Sequence, residues 1–339
     1  HKNRWIVHDK VTYRYGRSGR SGCRASLMDG GLPDSGPKDG GRGDAGSAHS
    51  EMEERMNHKT KKRFQEFTFI LPALIMFSIF VAYPFLQGFP ISFTKWDGMS
   101  PDKTFVGMSN YLRIFKDANV INATKNTLVF TAVTMIGSNL LGLMFALMIS
   151  RVSKLNNVLR TCIFVPYCLS LVLSSYIWRY VYSDVFYDIF GVPSPLGSTT
   201  WVMFGLAVIS VWRDAGYCMV VYIAAIQGVS SDYYEAADLE GATRWQKFKD
   251  ITFPMIAPAV TTNFTLLLAW GMKVFDYPMA ATAGGPGRAS ETVAMLIYNN
   301  LFTYFRAGYG QAIAVVFTIA IFAVSTIVSR TLRAREVEI

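Results

Sequence analysis

The sequence predicts an all-α, polytopic membrane protein. Its 339 residues are 51% hydrophobic and only 17% charged, with mean hydropathy +0.25, whereas charged residues make up about a quarter of a soluble domain. Apolar stretches recur along the chain, each long enough to cross a bilayer as a helix of about 20 residues. The net charge of +9 is spread over the connections, which fits basic loops on one membrane side rather than a nucleic-acid footprint.

Residues 1–57 stand apart. Gly30 to Ser50 is rich in Gly, Asp, Ser and Pro and cannot bury a core. This stretch reads as a disordered leader or added tail with a natural start near Met52 or Met56, or as a native disordered tail. Residues 58–339 form the expected membrane domain. The first span is expected over about 67–93, with Pro72, Pro84 and Pro90 inside it; prolines mark kinks or ends there. Residues 94–126 read as a small folded cap, with Trp96, Tyr111 and Phe115 at the membrane interface.

Further spans are expected over about 127–149, 161–182, 201–228, 255–281 and 311–329. Six spans put both termini on one side. The basic tracts 59–63, 151–160 and 330–335 share that side, and the acidic loop 183–200 lies on the other. The positive-inside rule therefore places both termini and residues 230–258 in the cytoplasm. Cys162, Cys168 and Cys218 read as buried, unpaired thiols. The sequence holds no Walker A run and no metal spacing, and all four histidines precede the first span.

The connection Ser230 to Pro258 carries eight charged residues, which is long for a membrane loop. Asp232 followed by Glu235 resembles a capping box. Gly241 then breaks the helix and Thr243 caps a second. Tyr234, Ala237, Gly241, Trp245 and Phe248 recur at helical spacing, which makes one face apolar. Ala236, Ala237, Gly241 and Ala242 permit close approach. The residues alone fit either an amphipathic hairpin on the bilayer or a docking helix.

The run Glu235-Ala-Ala-x3-Gly241-x9-Ile251-x-Phe253-Pro254 resembles the EAA loop of ABC-importer permease subunits, with Phe253 in the usual Leu position. The stretches FILPALIMFSIFVAYPF, FTKWDG, VGMSNY and FDYPMAATAGGPGRASET extend the likeness to sugar and oligosaccharide permeases similar to MalF. The resemblance implies a type I importer fold of six membrane helices. It implies coupling of ATPase closure to alternating access, with Tyr234, Glu235, Ala236, Ala237, Gly241 and Ala242 docking on an ATPase. The implied partners are a second permease subunit, two ATPase subunits that carry ATP and Mg, an external solute-binding protein and the bilayer of a bacterial cell membrane. No catalytic residue, metal or cofactor is expected on this chain, and no nucleic acid.

Charges inside spans default to functional hypotheses. Arg213 and Asp214 are adjacent and point about 100° apart, so each needs a partner on another helix. Lys273 and Asp276 are three apart and can meet on one face. Trp212, Tyr217, Trp270, Phe275 and Tyr277 lie near them. These residues fit either a sugar site or interhelical ion pairs with packed aromatics. Counted from Glu235, the solute-contacting stretches that the resemblance implies fall near 210–217 and 267–274. Arg213, Asp214, Tyr217, Trp270, Gly271, Lys273, Val274 and Asp276 are the candidate cavity residues. Two cations there would suit an acidic sugar. A self-contained secondary transporter is the alternative class, although no internal repeat supports it. Glu235→Lys or Gly241→Asp should abolish solute uptake while the chain still reaches the membrane. Uptake assays with immunoblots of membranes measure both, and wild-type uptake from either variant would remove the coupling reading.

Overall fold

The computed structural model describes Gln65–Ala334. The leader, the basic residues 59–63, the histidines, Cys23 and Arg335 lie outside the described residues. The chain divides into two units, His1–Pro72 and Ala73–Ile339, and the architecture below is that of the second.

Among the described residues four helices are long and apolar enough to cross a bilayer: α1 (Gln65–Ile91), α3 (Ala118–Ile149), α6 (Val202–Gln227) and α12 (Ala307–Arg333). Two further spans are bent pairs. One joins α4 (Lys154–Cys168) to α5 (Leu171–Ile189) at 99°, and the other joins α8 (Arg244–Met255) to α9 (Ala257–Met272) at 62°. Counting each pair once gives six spans. The smaller elements are β1 (Thr94–Lys95), β2 (Thr104–Phe105), α2 (Ser109–Ile114), α7 (Ser231–Leu239), α10 (Asp276–Thr282) and α11 (Val293–Thr303).

Several boundaries differ from those the sequence predicts. The second span starts at Ala118 because the Asp117 carboxylate accepts from the Asn119 amide and caps it. Helix persists past 182 into the expected loop, through a π turn at Val181–Val185. The span expected over 255–281 is broken twice, at Ile256 and again after Met272. The loop expected over 282–310 contains α11. In the first span a π turn at Ser78–Ala82 precedes Pro84, absorbing the hydrogen bond that proline cannot donate.

Helix α3 is organised inside out. Asn126, Thr127, Thr131, Thr134, Ser138 and Asn139 are buried, while Leu128, Ile136, Leu140 and Met148 are exposed. Lipid is as apolar as leucine, so burying apolar groups gains little between membrane helices and polar or small residues make the contacts. The Thr127 and Thr131 hydroxyls donate to carbonyls one turn back, at 2.8 and 2.7 Å, which satisfies both donors within the helix.

Helix α6 is the hub, with 67% of its apolar window buried against none of α1. One core cluster joins Phe130 of α3 to Leu206 and Ile209 of α6 and Tyr277 of α10. A second joins Ala146, Met219, Tyr222, Ile256 and Leu267. The cap is a two-stranded antiparallel hairpin with Thr94 opposite Phe105. The Gly308 amide at the start of α12 donates to the Trp96 carbonyl at 3.0 Å, fastening hairpin to helix. Within the hairpin loop, the backbone amides of Met99 and Ser100 hold the Asp97 carboxyl below its usual range. The thiols differ from expectation: Cys218 is buried between helices, but Cys162 and Cys168 are exposed on the outer surface.

The α3–α6 contact depends on Gly142. A Cβ there would fall 2.5 Å from Cys218 Cβ and 2.9 Å from the Met219 amide nitrogen. Gly142→Leu should therefore destabilise the chain by about 1–3 kcal/mol through overpacking. A lowered melting temperature of the purified protein checks this, and unchanged melting would mean that the two helices can separate freely.

Candidate functional site

Two places bring the sequence candidates together: a cavity between α3, α6 and the broken span, and the hairpin α7–α8.

The cavity has a volume of about 310 Å³, at the small end of the ~300–1,000 Å³ typical of ligand pockets. Arg213, Asp214, Trp270 and Gly271 line it, together with Lys273, Val274 and Asp276. Tyr217 stands behind the wall. Its ring stacks on Tyr167 at 5.2 Å and meets Trp270 at 5.6 Å. Trp270 is 39% exposed and offers the cavity an aromatic surface. Gly271 packs against Thr131 of α3, where a Cβ would meet the threonine side chain at 2.9 Å. Its close approach is to a helix.

Arg213 and Asp214 do not point apart. Arg213 Nη1 meets Asp214 Oδ1 at 2.8 Å, because the long arginine side chain folds back over its neighbour. Arg213 also reaches the α4–α5 break, where its Nε donates to the Leu169 carbonyl at 3.2 Å. Its guanidinium lies 4.6 Å from the centre of the Tyr167 ring. Ser210 Oγ donates to Asp214 Oδ2 at 2.8 Å, so both carboxylate oxygens are occupied. Lys273 and Asp276 do not pair. Helix α9 ends at Met272 and α10 starts at Asp276, so the two lie across a break and not on one face. Neither makes an ion pair among the described residues.

Sequence reasoning missed Tyr167, Thr134 and Phe130, which also line the cavity, and reached Ser210 only as the start of the stretch 210–217. Tyr167 sits on the turn of a bent span, which periodicity did not reveal. Thr134 belongs to the series Thr127, Thr131, Thr134, Ser138, a polar stripe at helical spacing that could have located the wall. Among the described residues Thr134 Oγ1 is buried without a hydrogen-bond partner and belongs to the cavity wall, as does Tyr277, whose hydroxyl lies beside Ser210 and Arg213. Buried hydroxyls rarely stay unpaired, so a polar guest is the natural complement. Trp212 instead packs on Trp178 at 5.7 Å, and Phe275 on Tyr298 at 5.3 Å.

In the hairpin, Ser230 caps α7 by accepting from the Asp232 amide, so Asp232 is not the cap and Glu235 closes no capping box. Glu235 and Ala236 are exposed, and Ala237 is half-buried. Gly241 adopts φ +72°, a conformation that costs other residues roughly 1–2 kcal/mol. The Ala242 amide then donates to the Ala237 carbonyl at 2.9 Å. Thr243 and Gln246 form a reciprocal capping box that starts α8. An ion pair between Asp238 and Lys247 ties the two helices. Tyr234 is half-buried, with its hydroxyl 2.9 Å from Thr252 Oγ1, so it braces the hairpin from within. Leu239 and Trp245 are 91% and 69% exposed, an apolar surface left uncovered by the described residues.

The helical membrane domain thus carries a polar, doubly capped hairpin between the straight span α6 and the bent pair α8–α9. The sequence model of the family described as "Binding-protein-dependent transport system inner membrane component" matches residues 138–337, and the chain belongs to that family. It is thus a multi-pass, non-catalytic subunit of a binding-protein-dependent ABC importer, in which ATP binding lies on partner ATPase subunits. The self-contained transporter is thereby set aside. The chain is 32% identical over 276 residues to the probable starch degradation products transport system permease protein AmyD of Thermoanaerobacterium thermosulfurigenes, covering 80% of this chain and 94% of that one. It is 30% identical to the trehalose/maltose transport system permease protein MalF of Thermococcus litoralis, covering 78% and 92%. The fold is that of a solved bacterial ABC transporter involved in the import of the acidic polysaccharide alginate, with TM-score 0.71 at 22% identity over 83% of this chain and 99% of that one.

The buried Arg213–Asp214 pair makes a separable prediction. Removing one partner of such a pair costs about 3–5 kcal/mol, whereas replacing both by apolar residues is near neutral. Asp214→Leu should lower the melting temperature of the purified chain, and Arg213→Met with Asp214→Leu should restore part of it, the remainder being the Leu169 carbonyl that loses its donor. Equal melting of single and double variants would show that the pair contributes no structural constraint.

Proposed function

We propose that this subunit passes a sugar or short oligosaccharide through the cavity between α3, α6 and the α9–α10 break. The observation that carries the reading is that the hydroxyls of Thr134 and Tyr277 and the aromatic surfaces of Trp270 and Tyr167 line one cavity, with the Thr134 hydroxyl left without a partner among the described residues. A sugar ring offers hydroxyls to the first and apolar C–H faces to the second. The printed names of AmyD and MalF, which concern starch degradation products and trehalose or maltose, support the same class. Arg213 is neutralised by Asp214, and Asp276 faces the same cavity as Lys273. The four charges cancel formally, so a neutral sugar fits better than the acidic one that two cations alone would suit.

In this reading α7 and the turn at Gly241 sit in a groove of an ATPase subunit, as a helix-in-groove contact. Glu235, Ala236, Ala237 and Ala242 line that contact, and Leu239 and Trp245 extend it. Closure of two ATPase subunits then rocks the spans and alternates access. A second permease subunit completes the pathway. Both termini and the hairpin face the cytoplasm of a bacterial cell. The free carboxylate of Glu235, no longer needed as a cap, supports its role in a charge-assisted contact.

Uptake of labelled maltose, maltotriose and an oligouronate by vesicles carrying the complete importer tests the proposal. The neutral sugars should be accumulated, and Trp270→Ala should reduce their uptake about tenfold, as loss of an aromatic stacking surface together with its packing would. Accumulation of none of the three, or wild-type uptake by Trp270→Ala, would overturn it.

A further inference from the structure

The run GGPGRASET, residues 284–292, resembles part of the family pattern but has no role in the function derived above. Its last residue reaches the cavity wall. Thr292 is fully buried, and its Oγ1 donates to the Val274 carbonyl at 2.7 Å. Val274 lies in the break between α9 and α10, flanked by Lys273 and two residues before Asp276.

That carbonyl has no helical partner. Its i+4 residue is Pro278, which carries no N–H. Water is absent from a packed membrane interior, and a buried carbonyl left unpaired is costly. Thr292 supplies the missing donor.

Thr292 is itself held in place. The next amide, Val293, donates to Thr127 Oγ1 of α3 at 3.0 Å. The Glu291 carbonyl accepts from Asn126 of α3 at 3.0 Å. The Glu291 carboxylate, 3% exposed, meets Arg288 at 2.7 Å and Asn299 at 2.8 Å. The threonine is thus presented from a segment anchored to α3, the helix that forms the opposite wall of the cavity.

We propose that Thr292 is the positioning residue that fixes the α9–α10 break, and with it the placement of Lys273 and Asp276 toward the solute. This rests on the reading of the cavity as the solute site. Thr292 touches no cavity volume itself and acts through the Val274 carbonyl.

The test uses thiol labelling of the full chain in vesicles that carry the complete importer, so it requires no knowledge of the solute. Lys273→Cys is introduced in a background of Cys23→Ser, Cys162→Ser and Cys168→Ser and labelled with a methanethiosulfonate reagent. Thr292→Val, which keeps the shape and loses the donor, should shift the labelling rate about tenfold, and Thr292→Ser, which keeps the donor, should stay within about twofold of wild type. Val152→Cys, exposed on the α3–α4 turn, serves as the control and should label alike in all three backgrounds.

Equal labelling of Lys273→Cys in the Val and Ser variants would overturn the proposal. So would an equal shift at Val152→Cys, or failure of Thr292→Val to accumulate in the membrane, since Thr292 would then support the fold as a whole. Maltose uptake by vesicles carrying Thr292→Val with Lys273 retained separates this from the solute-site reading. A labelling shift with unimpaired uptake keeps the positioning role and removes the solute site. Lost uptake in Trp270→Ala without any labelling shift in Thr292→Val does the reverse.

Discussion

A carbonyl freed by a broken helix finds no water inside a bilayer, and irregular backbone survives at that depth only where protein covers it or a cavity solvates it. This constraint orders the whole molecule. Its spans break between Cys168 and Leu171, at Ile256 and between Met272 and Asp276. Two of the three breaks are mended by a side chain from elsewhere in the chain. Arg213 reaches the Leu169 carbonyl, and Thr292 reaches that of Val274. At the third, regular backbone hydrogen bonds persist across the bend, the Ile256 amide donating to Thr252 and the Ile256 carbonyl accepting from Val260. The cavity lies between the two mended breaks, so the groups that repair the backbone also shape the site.

The polar interior follows from the same solvent. Helix α3 turns threonines, serine and asparagines inward and leucines outward, the reverse of a soluble helix. Short hydroxyl side chains satisfy themselves on the preceding turn and leave room for neighbours to approach, as at Gly142. The self-satisfaction fails at Ser138, Thr265 and Ser325, away from the cavity, and at Thr134, whose hydroxyl lies in the cavity wall.

Length and hydropathy made the spans legible, because a helix in lipid needs only enough apolar residues. They did not reveal the bends, since a bent pair and a straight span have the same composition over 154–189. The hairpin was legible to the residue at Gly241 and Thr243, where a positive φ and a capping box have strong side-chain signatures. It was less so at its start, because Ser230 and Asp232 are both good caps and only backbone geometry chooses between them. Seven of the eight cavity candidates line one space, because charges and aromatics are conspicuous in apolar spans. The pairing among them was misread. The Arg213–Asp214 contact depends on a side chain folding back, and the separation of Lys273 from Asp276 depends on Pro278, whose effect falls four residues upstream.

The 62° bend between α8 and α9 has a mechanical consequence. One arm begins at the hairpin and the other ends at the cavity, and the corner, Ile256, is completely buried and so is held like a pivot. At 1.5 Å of rise per residue the arms are about 18 and about 24 Å long. The pair is therefore a bell crank with its longer arm on the cavity side. In the proposed coupling, a displacement at the start of α8 carried rigidly about that corner would reach Met272 along another direction and enlarged by about a third.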